Sequence, residues 1–348
     1  MKPKFIAVIG GALMILGSFL PWVTLSDFAE SISFTGVQEG LTGPVTIVLG
    51  LVAALAALAA RESPGANGSI PAAICGIFGA GAAIGQFIEI STAAMAFTLQ
   101  GIQVSPGIGL ILVLIGGIVA AVGGYRHNEG EAPVLETSPV PPTSWQQVWI
   151  STLTKPVVAT YETIIKAPTA TSGTAYRWVA IAYLIGAVVQ VVGTLLLLGG
   201  RPASGIFAGA GVALICLLIL APLLAVVGLA IGAGITNWLA RLLGGVGSYA
   251  QLAYAFASYS APLGLLTFAL GTLPIPIVVT LTYGLAAYNV VLEVVAIKGV
   301  HQLSWGRSIL AAFGILVLII IVAVAVIVIL AILGPTIGDI FSNIVSNV

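Results

Sequence analysis

The chain has 348 residues, of which 59% are hydrophobic and 6% charged. A soluble domain carries about 25% charged residues, so this chain cannot cover a water-facing surface and lipid must be its main solvent. Its formal net charge is zero, which excludes the basic field of a nucleic-acid binder. The two cysteines, Cys75 and Cys216, lie inside apolar runs and read as small packing residues.

A helix needs about 20 apolar residues to cross the hydrocarbon core. The first half supplies four such runs: Phe5 to Val23, Pro44 to Ala60, Ile70 to Ile90, and Pro106 to Gly124. Lys2 and Lys4 before the first run imitate a signal peptide. No small-x-small cleavage site follows, so the run reads as an uncleaved span. The four spans look like one hairpin written twice. At a shift of 68 residues Pro3, Ile6, Ile9, Gly11, Ala12, Gly17 and Phe19 meet Pro71, Ile74, Ile77, Gly79, Ala80, Gly85 and Phe87. The outer loops match too, Gly36-Val37-Gln38 against Gly101-Ile102-Gln103. Both copies start and end on one side, which makes the repeat parallel. Small residues let helix backbones approach closely in lipid. Gly10, Gly11 and Gly17 on the first span, with Gly79 and Gly85 on the third, are therefore candidate helix-packing positions inside a four-helix unit; a dimer face is the alternative. The Leu20-Pro21-Trp22 step resembles that of generic bacterial four-span membrane proteins and names no activity.

From Arg126 the composition changes. Glu129, Glu131 and Glu136 alternate with Pro133, Pro139, Pro141 and Pro142, the signature of a connector. Next, Trp145, Val148, Trp149 and Leu153 recur at helical spacing, and Pro156 ends the run. Tryptophan favours the headgroup layer, so this stretch is expected to lie in the membrane interface, with Trp145 and Trp149 as anchors.

Five more apolar runs follow: Trp178 to Leu198, Gly205 to Thr236, Tyr249 to Thr272, Ile277 to Ile297, and Ser308 to Leu333. With the N-terminus inside, ten of the eleven basic residues fall on the cytoplasmic side and only Arg201 falls outside. Dropping one span would invert everything after it and spoil this count. The expected fold is thus an all-α integral membrane protein of about nine spans, four plus five, with the N-terminus cytoplasmic and the C-terminus outside. Residues 1–125 form a four-helix unit built from the tandem hairpin, 126–144 a Pro/Glu-rich cytoplasmic linker, and 145–348 a domain with an interfacial helix and five spans.

Three segments of that last domain carry a resemblance. Leu153-Thr154-Lys155-Pro156 leads into Thr160-Tyr161-Glu162-Thr163-Ile164-Ile165-Lys166-Ala167-Pro168. Further on, Gly244-Gly245-Val246-Gly247-Ser248-Tyr249-Ala250-Gln251 precedes Ala257-Ser258-Tyr259-Ser260-Ala261-Pro262. Then His301-Gln302-Leu303-Ser304-Trp305-Gly306-Arg307 separates the last two spans. In order and spacing these resemble the Yip family of five-span membrane proteins. The resemblance implies a cytosolic N-terminus, five spans and a far-side C-terminus. Eukaryotic relatives are associated with vesicle traffic and small GTPases. The Ala-, Gly- and Val-rich composition and the fused four-span unit look bacterial, and for bacterial relatives the resemblance implies no assigned reaction.

Catalytic chemistry is hard to find in the sequence. The two histidines, His127 and His301, fall in loops, no Cys/His cluster has zinc spacing, and no phosphate-binding Gly-Lys-Ser/Thr loop is present. No enzyme activity, cofactor or metal is expected. Ionisable residues inside the bilayer are functional suspects, and Glu293 with Lys298 is the candidate pair. Its carboxylate is expected to snorkel, to pair with a neighbouring base, or to carry a proton or ion. Gln190, Asn237 and Gln251 read as interhelical hydrogen-bond partners. Pro222, Pro262, Pro274 and Pro276 interrupt the second half. The expectation is a non-catalytic scaffold or accessory subunit in a bacterial cytoplasmic membrane. Its partners would be the lipid bilayer and other membrane proteins. The alternatives are a small-solute or ion transporter using Glu293, and a lipid-handling or membrane-shaping protein.

Overall fold

The computed structural model describes residues 3–26, 31–38, 40, 42–59, 70–98, 102–129, 144–197, 206–273 and 277–314. Four helices make the first half: α1 (Pro3–Ser18), α2 (Thr42–Ala59), α3 (Ile70–Thr98) and α4 (Ile108–Glu129). The second half opens with the short helices α5 (Trp145–Thr154) and α6 (Val158–Ile164). The long helices α7 (Ser172–Leu197), α8 (Ile206–Leu242), α9 (Tyr249–Gly271) and α10 (Ile277–His301) follow. A further helix begins at Trp305 and is described to Gly314. Seven described helices, α2, α3, α4, α7, α8, α9 and α10, are long and apolar enough to cross a membrane. The chain is an all-α integral membrane protein. Most of the ninth expected span and most of the Pro/Glu-rich linker lie outside the described residues.

The first span is shorter than its apolar run. α1 has 16 residues and stops at Ser18, whereas the sequence pattern reaches Val23. The reason is local. Pro21 lacks an N–H and pushes Leu20 out of the helical region, and the Trp22 indole donates to the Gly17 carbonyl at 2.9 Å, occupying one of the helix's last free acceptors. The chain then continues as a strand.

The outer loops build a small sheet that the helical reading did not foresee. β1 (Pro21–Ser26), β2 (Ser31–Thr35) and β3 (Gln103–Pro106) pair antiparallel in the order β2-β1-β3. Thr24 faces Ser33 on one side and Ser105 on the other. β1 and β2 come from the first outer loop and β3 from the second, so the sheet ties the two hairpins together. Trp22 is fully buried beneath it. Its indole leaves no room for a side chain at Gly36, where a methyl would lie 2.4 Å from the ring.

Glycine contacts set the helix spacing of the first half. A methyl on Gly10 would fall 2.2 Å from the Ala120 nitrogen of α4, and one on Gly11 would fall 2.4 Å from the Gly50 carbonyl of α2. Gly17 stands as close to the Gly109 carbonyl of α4, at 2.6 Å. Gly79 receives the end of Met14, which is completely buried. Gly85 belongs elsewhere. Its methyl would meet the Tyr283 ring of α10 at 2.1 Å, so it packs the two halves against each other and not the four-helix unit.

The halves share that seam along α3 and α10. Gly81 stands against Tyr283 and Ala287, and Gly284 against the Phe78 ring. Phe78 and Tyr288 stack with centroids 6.0 Å apart, and Thr42 bonds Thr280 at 2.9 Å. The main core is formed by α5, α6, α7, α8, α9 and α10, with Ile77 of α3 joining it.

Candidate functional site

The three sequence segments quoted above converge on one assembly at the basic-rich end of the second half. Its foundation is α5. Ser144 caps it by accepting from the Gln147 N–H at 3.3 Å. Val148 and Thr152, one turn apart, are its buried face. The Thr152 hydroxyl lies within 3.0 Å of the Val148, Trp149 and Ser258 carbonyls. The last of these has a physical cause. Within α9 the Ser258 carbonyl would ordinarily receive the N–H of the residue four positions on, which is Pro262 and has none. Thr152 reaches from another helix to the acceptor that the proline leaves open.

Phenols secure the connection between α5 and α6. Tyr288 of α10 donates to the Leu153 carbonyl at 2.5 Å, and Tyr125 of α4 donates to the Pro156 carbonyl. The second bond comes from the first half of the chain. Tyr161 of α6 is fully buried, its ring edge-on to Tyr259 at 6.5 Å, and Gly299 of α10 leaves space for its Cβ. Its hydroxyl has no hydrogen-bond partner among the described residues. Burial, reinforced by Tyr288 and Tyr125, holds this phenol well above its ordinary pKa.

The tryptophans take different roles. Trp145 is 49% exposed and is free to meet headgroups. Trp149 is not a headgroup anchor. It sits edge-on between Trp145 and Trp178, at 4.8 and 6.1 Å, and its indole N–H is buried without a partner among the described residues. The aromatic row continues from Trp178 to Tyr254 at 4.9 Å. α5 therefore packs into the helix bundle against α9.

Glu293 and Lys298 do not pair. Five residues on a helix place two side chains roughly 140° apart around the axis, which points them to different neighbours. Glu293 lies within electrostatic reach of Tyr259, and no hydrogen bond or ion pair to its carboxylate occurs among the described residues. Lys298 instead donates to the Leu303 carbonyl at 3.3 Å and stands 5.1 Å over the Trp305 ring.

The glycine loop between α8 and α9 completes the assembly. Gly244 adopts φ 91°, a conformation open to glycine. Gly245 and Gly247 lie against the His301 ring, where methyls would come within 2.8 and 3.0 Å of its Nδ1. His301 is 1% exposed, and neither ring nitrogen has a partner among the described residues. Arg241 donates to the Gly247 carbonyl at 3.4 Å and Arg307 to the Leu243 carbonyl at 3.3 Å. Gln251, read from the sequence as an interhelical partner, forms a capping box with Ser248 at the start of α9. Asn237 keeps a buried carbonyl oxygen with no partner among the described residues.

The arrangement is a brace of packed rings and helix-end carbonyls. Among the described residues no group of three His, Cys, Asp or Glu side chains is placed to hold a metal ion. Sequence reasoning missed the Thr152–Ser258 bond, although Pro262 within a span signalled that a carbonyl upstream needed a foreign donor. The family model described as Yip1 domain matches residues 150–327, a little over half of the chain. No curated protein and no solved structure matches the chain.

Proposed function

We propose that this chain, which belongs to the Yip1 domain family of multi-pass membrane proteins, is a non-catalytic scaffold or accessory subunit of a complex in a bacterial cytoplasmic membrane. The observation that carries this reading is the outer surface of α8. Gly228 and Gly232 stand one turn apart, and a methyl on either would meet nothing within 4 Å among the described residues. The pair of the same spacing on α3, Gly81 and Gly85, is occupied by the backbone and ring of Tyr283. An open Gly-x-x-x-Gly pair in lipid lets another helix approach to backbone contact. Around it, Leu224 and Ile231 are more than half exposed, which supplies the apolar rim such a contact needs.

The test is purification of the chain from its native membranes in mild detergent, with mass spectrometry of what accompanies it. A stoichiometric set of membrane proteins is expected with the wild-type chain and should be lost when Gly228→Leu and Gly232→Leu are combined. A solitary wild-type particle would overturn the reading.

A second reading rests on Glu293, a carboxylate inside a span without an ion pair among the described residues. In that case the chain moves a proton or small ion. Glu293→Gln should then abolish flux in liposomes while leaving elution and thermal stability unchanged, and equal flux in both proteins would dispose of it.

A further inference from the structure

Between α7, α9 and α10, on the side of the bundle away from the glycine loop, lies a cavity of about 660 Å³. This falls within the range of small-molecule sites, about 300–1,000 Å³. Tyr183 and Gln190 line it from α7, Thr267 and Phe268 from α9, and Thr282 and Asn289 from α10. Among the described residues no charged side chain lines it. The walls are fixed by tight fits. Gly186 stands against the Phe268 ring and Gly264 against the Tyr183 ring, and these rings meet edge-on at 5.6 Å.

The polar groups divide into two sets. Thr267 and Thr282 donate to carbonyls of their own helices, at 2.9 and 2.8 Å, and need nothing further. The Tyr183 hydroxyl and the carboxamides of Gln190 and Asn289 make no side-chain hydrogen bond among the described residues. Asn289 is the middle residue of α10, and Gln190 lies seven residues before the end of α7, about 10 Å in at 1.5 Å per residue. At such depths an unsatisfied amide costs several kcal/mol. Gln190, expected to bond a neighbouring helix, points its oxygen towards Gly271, where a methyl would come within 3.1 Å of it.

Water is a poor occupant. The volume would take on the order of twenty molecules at about 30 Å³ each, and every one needs two to four polar partners. Three polar groups cannot order that many. A charged headgroup fits poorly as well, because no counter-charge lines the walls among the described residues. All three unpaired groups can donate a hydrogen bond. We propose that this cavity binds an uncharged long-chain amphiphile whose carbonyl or hydroxyl oxygens accept from Tyr183, Gln190 and Asn289, while its chain lies along Leu263, Phe268 and Leu285. A diacylglycerol and an isoprenoid quinone share this chemistry.

The full chain in mild detergent, photolabelled in parallel with a diazirine-bearing diacylglycerol, a diazirine-bearing isoprenoid quinone and a diazirine-bearing phosphatidylglycerol, tests the assignment. One neutral probe should label peptides of α7, α9 and α10 and so identify the source. Labelling should fall about thirtyfold in the double variant Gln190→Leu/Asn289→Leu, about fivefold for each of the two hydrogen bonds removed. Ala286→Phe, which fills the cavity without touching the polar groups, should block labelling too and covers the case in which the double variant misfolds. Labelling that is equal for charged and neutral probes, that misses these peptides, or that survives both variants overturns the proposal.

Discussion

A helix that carries a proline in its interior owes a hydrogen bond, and in α9 the debt is met by a threonine over a hundred residues away in sequence. Thr152→Val keeps the shape and removes the donor, leaving the Ser258 carbonyl buried and unpaired. The expected cost is about 1–3 kcal/mol of stability, read as thermal unfolding in detergent, with Thr152→Ser near wild type. Pro262→Ala supplies the missing N–H from within α9. In that background the effect of Thr152→Val should shrink, a coupling that a double-mutant cycle reads directly. Equal costs in both backgrounds would show that Thr152 acts through packing alone. From the sequence, Pro262 was visible as a break and Thr152 as one polar residue on an amphipathic stretch. Nothing in the chain order says that they meet, because the bond depends on how α5 docks. Glu293 is the converse case. Its place inside a span was legible, but the partner was not, since Lys298 is too far around the helix to reach it and finds Trp305 instead.

At the scale of elements, long apolar runs are the most legible feature of a membrane chain, because lipid permits so few alternatives. The helices α2, α3, α4, α7, α8, α9 and α10 fall where hydropathy places them. What failed was the assumption that an apolar run is helical to its end. Leu20-Pro21-Trp22-Val23 is as hydrophobic as the helix before it, yet it alternates with Thr24 and Ser26 and forms a strand. Pro21 was the signal, and it was read as a feature of the span and not as its terminus. The short helix α5 was legible as a helix from its spacing, whereas its docking was not. Its buried stripe of Val148 and Thr152 faces α9, and a sequence period cannot distinguish protein from headgroups as the apolar partner.

For the whole molecule, the two halves are joined by more than their connector. Gly81, Gly85 and Gly284 admit the rings and backbone of the opposite half, Thr42 bonds Thr280, and Tyr125 bonds the Pro156 carbonyl. A protease site placed after Glu136 and cut in detergent should therefore leave two fragments that elute together. Gly81→Leu combined with Gly85→Leu should part them, since each added side chain would fall within 3 Å of α10. Fragments that separate without any substitution would mean that the connector alone holds the halves. The repeat in the sequence marked Gly85 as close-packed but expected its neighbour inside the four-helix unit, because the pattern is equally satisfied by any helix that comes near.

The small sheet bears on how such a chain is made. β1 and β2 belong to the first outer loop and can pair once that hairpin has crossed the bilayer. The free edge of β1 then waits for β3, which arrives only with the second hairpin. Until that strand is threaded across, a row of backbone donors and acceptors stands unmatched at the membrane surface. Closure of the sheet thus requires both hairpins to cross the bilayer in the same sense. A chain whose second hairpin is inserted upside down would hold β3 on the opposite side of the bilayer and leave this edge of β1 without its strand.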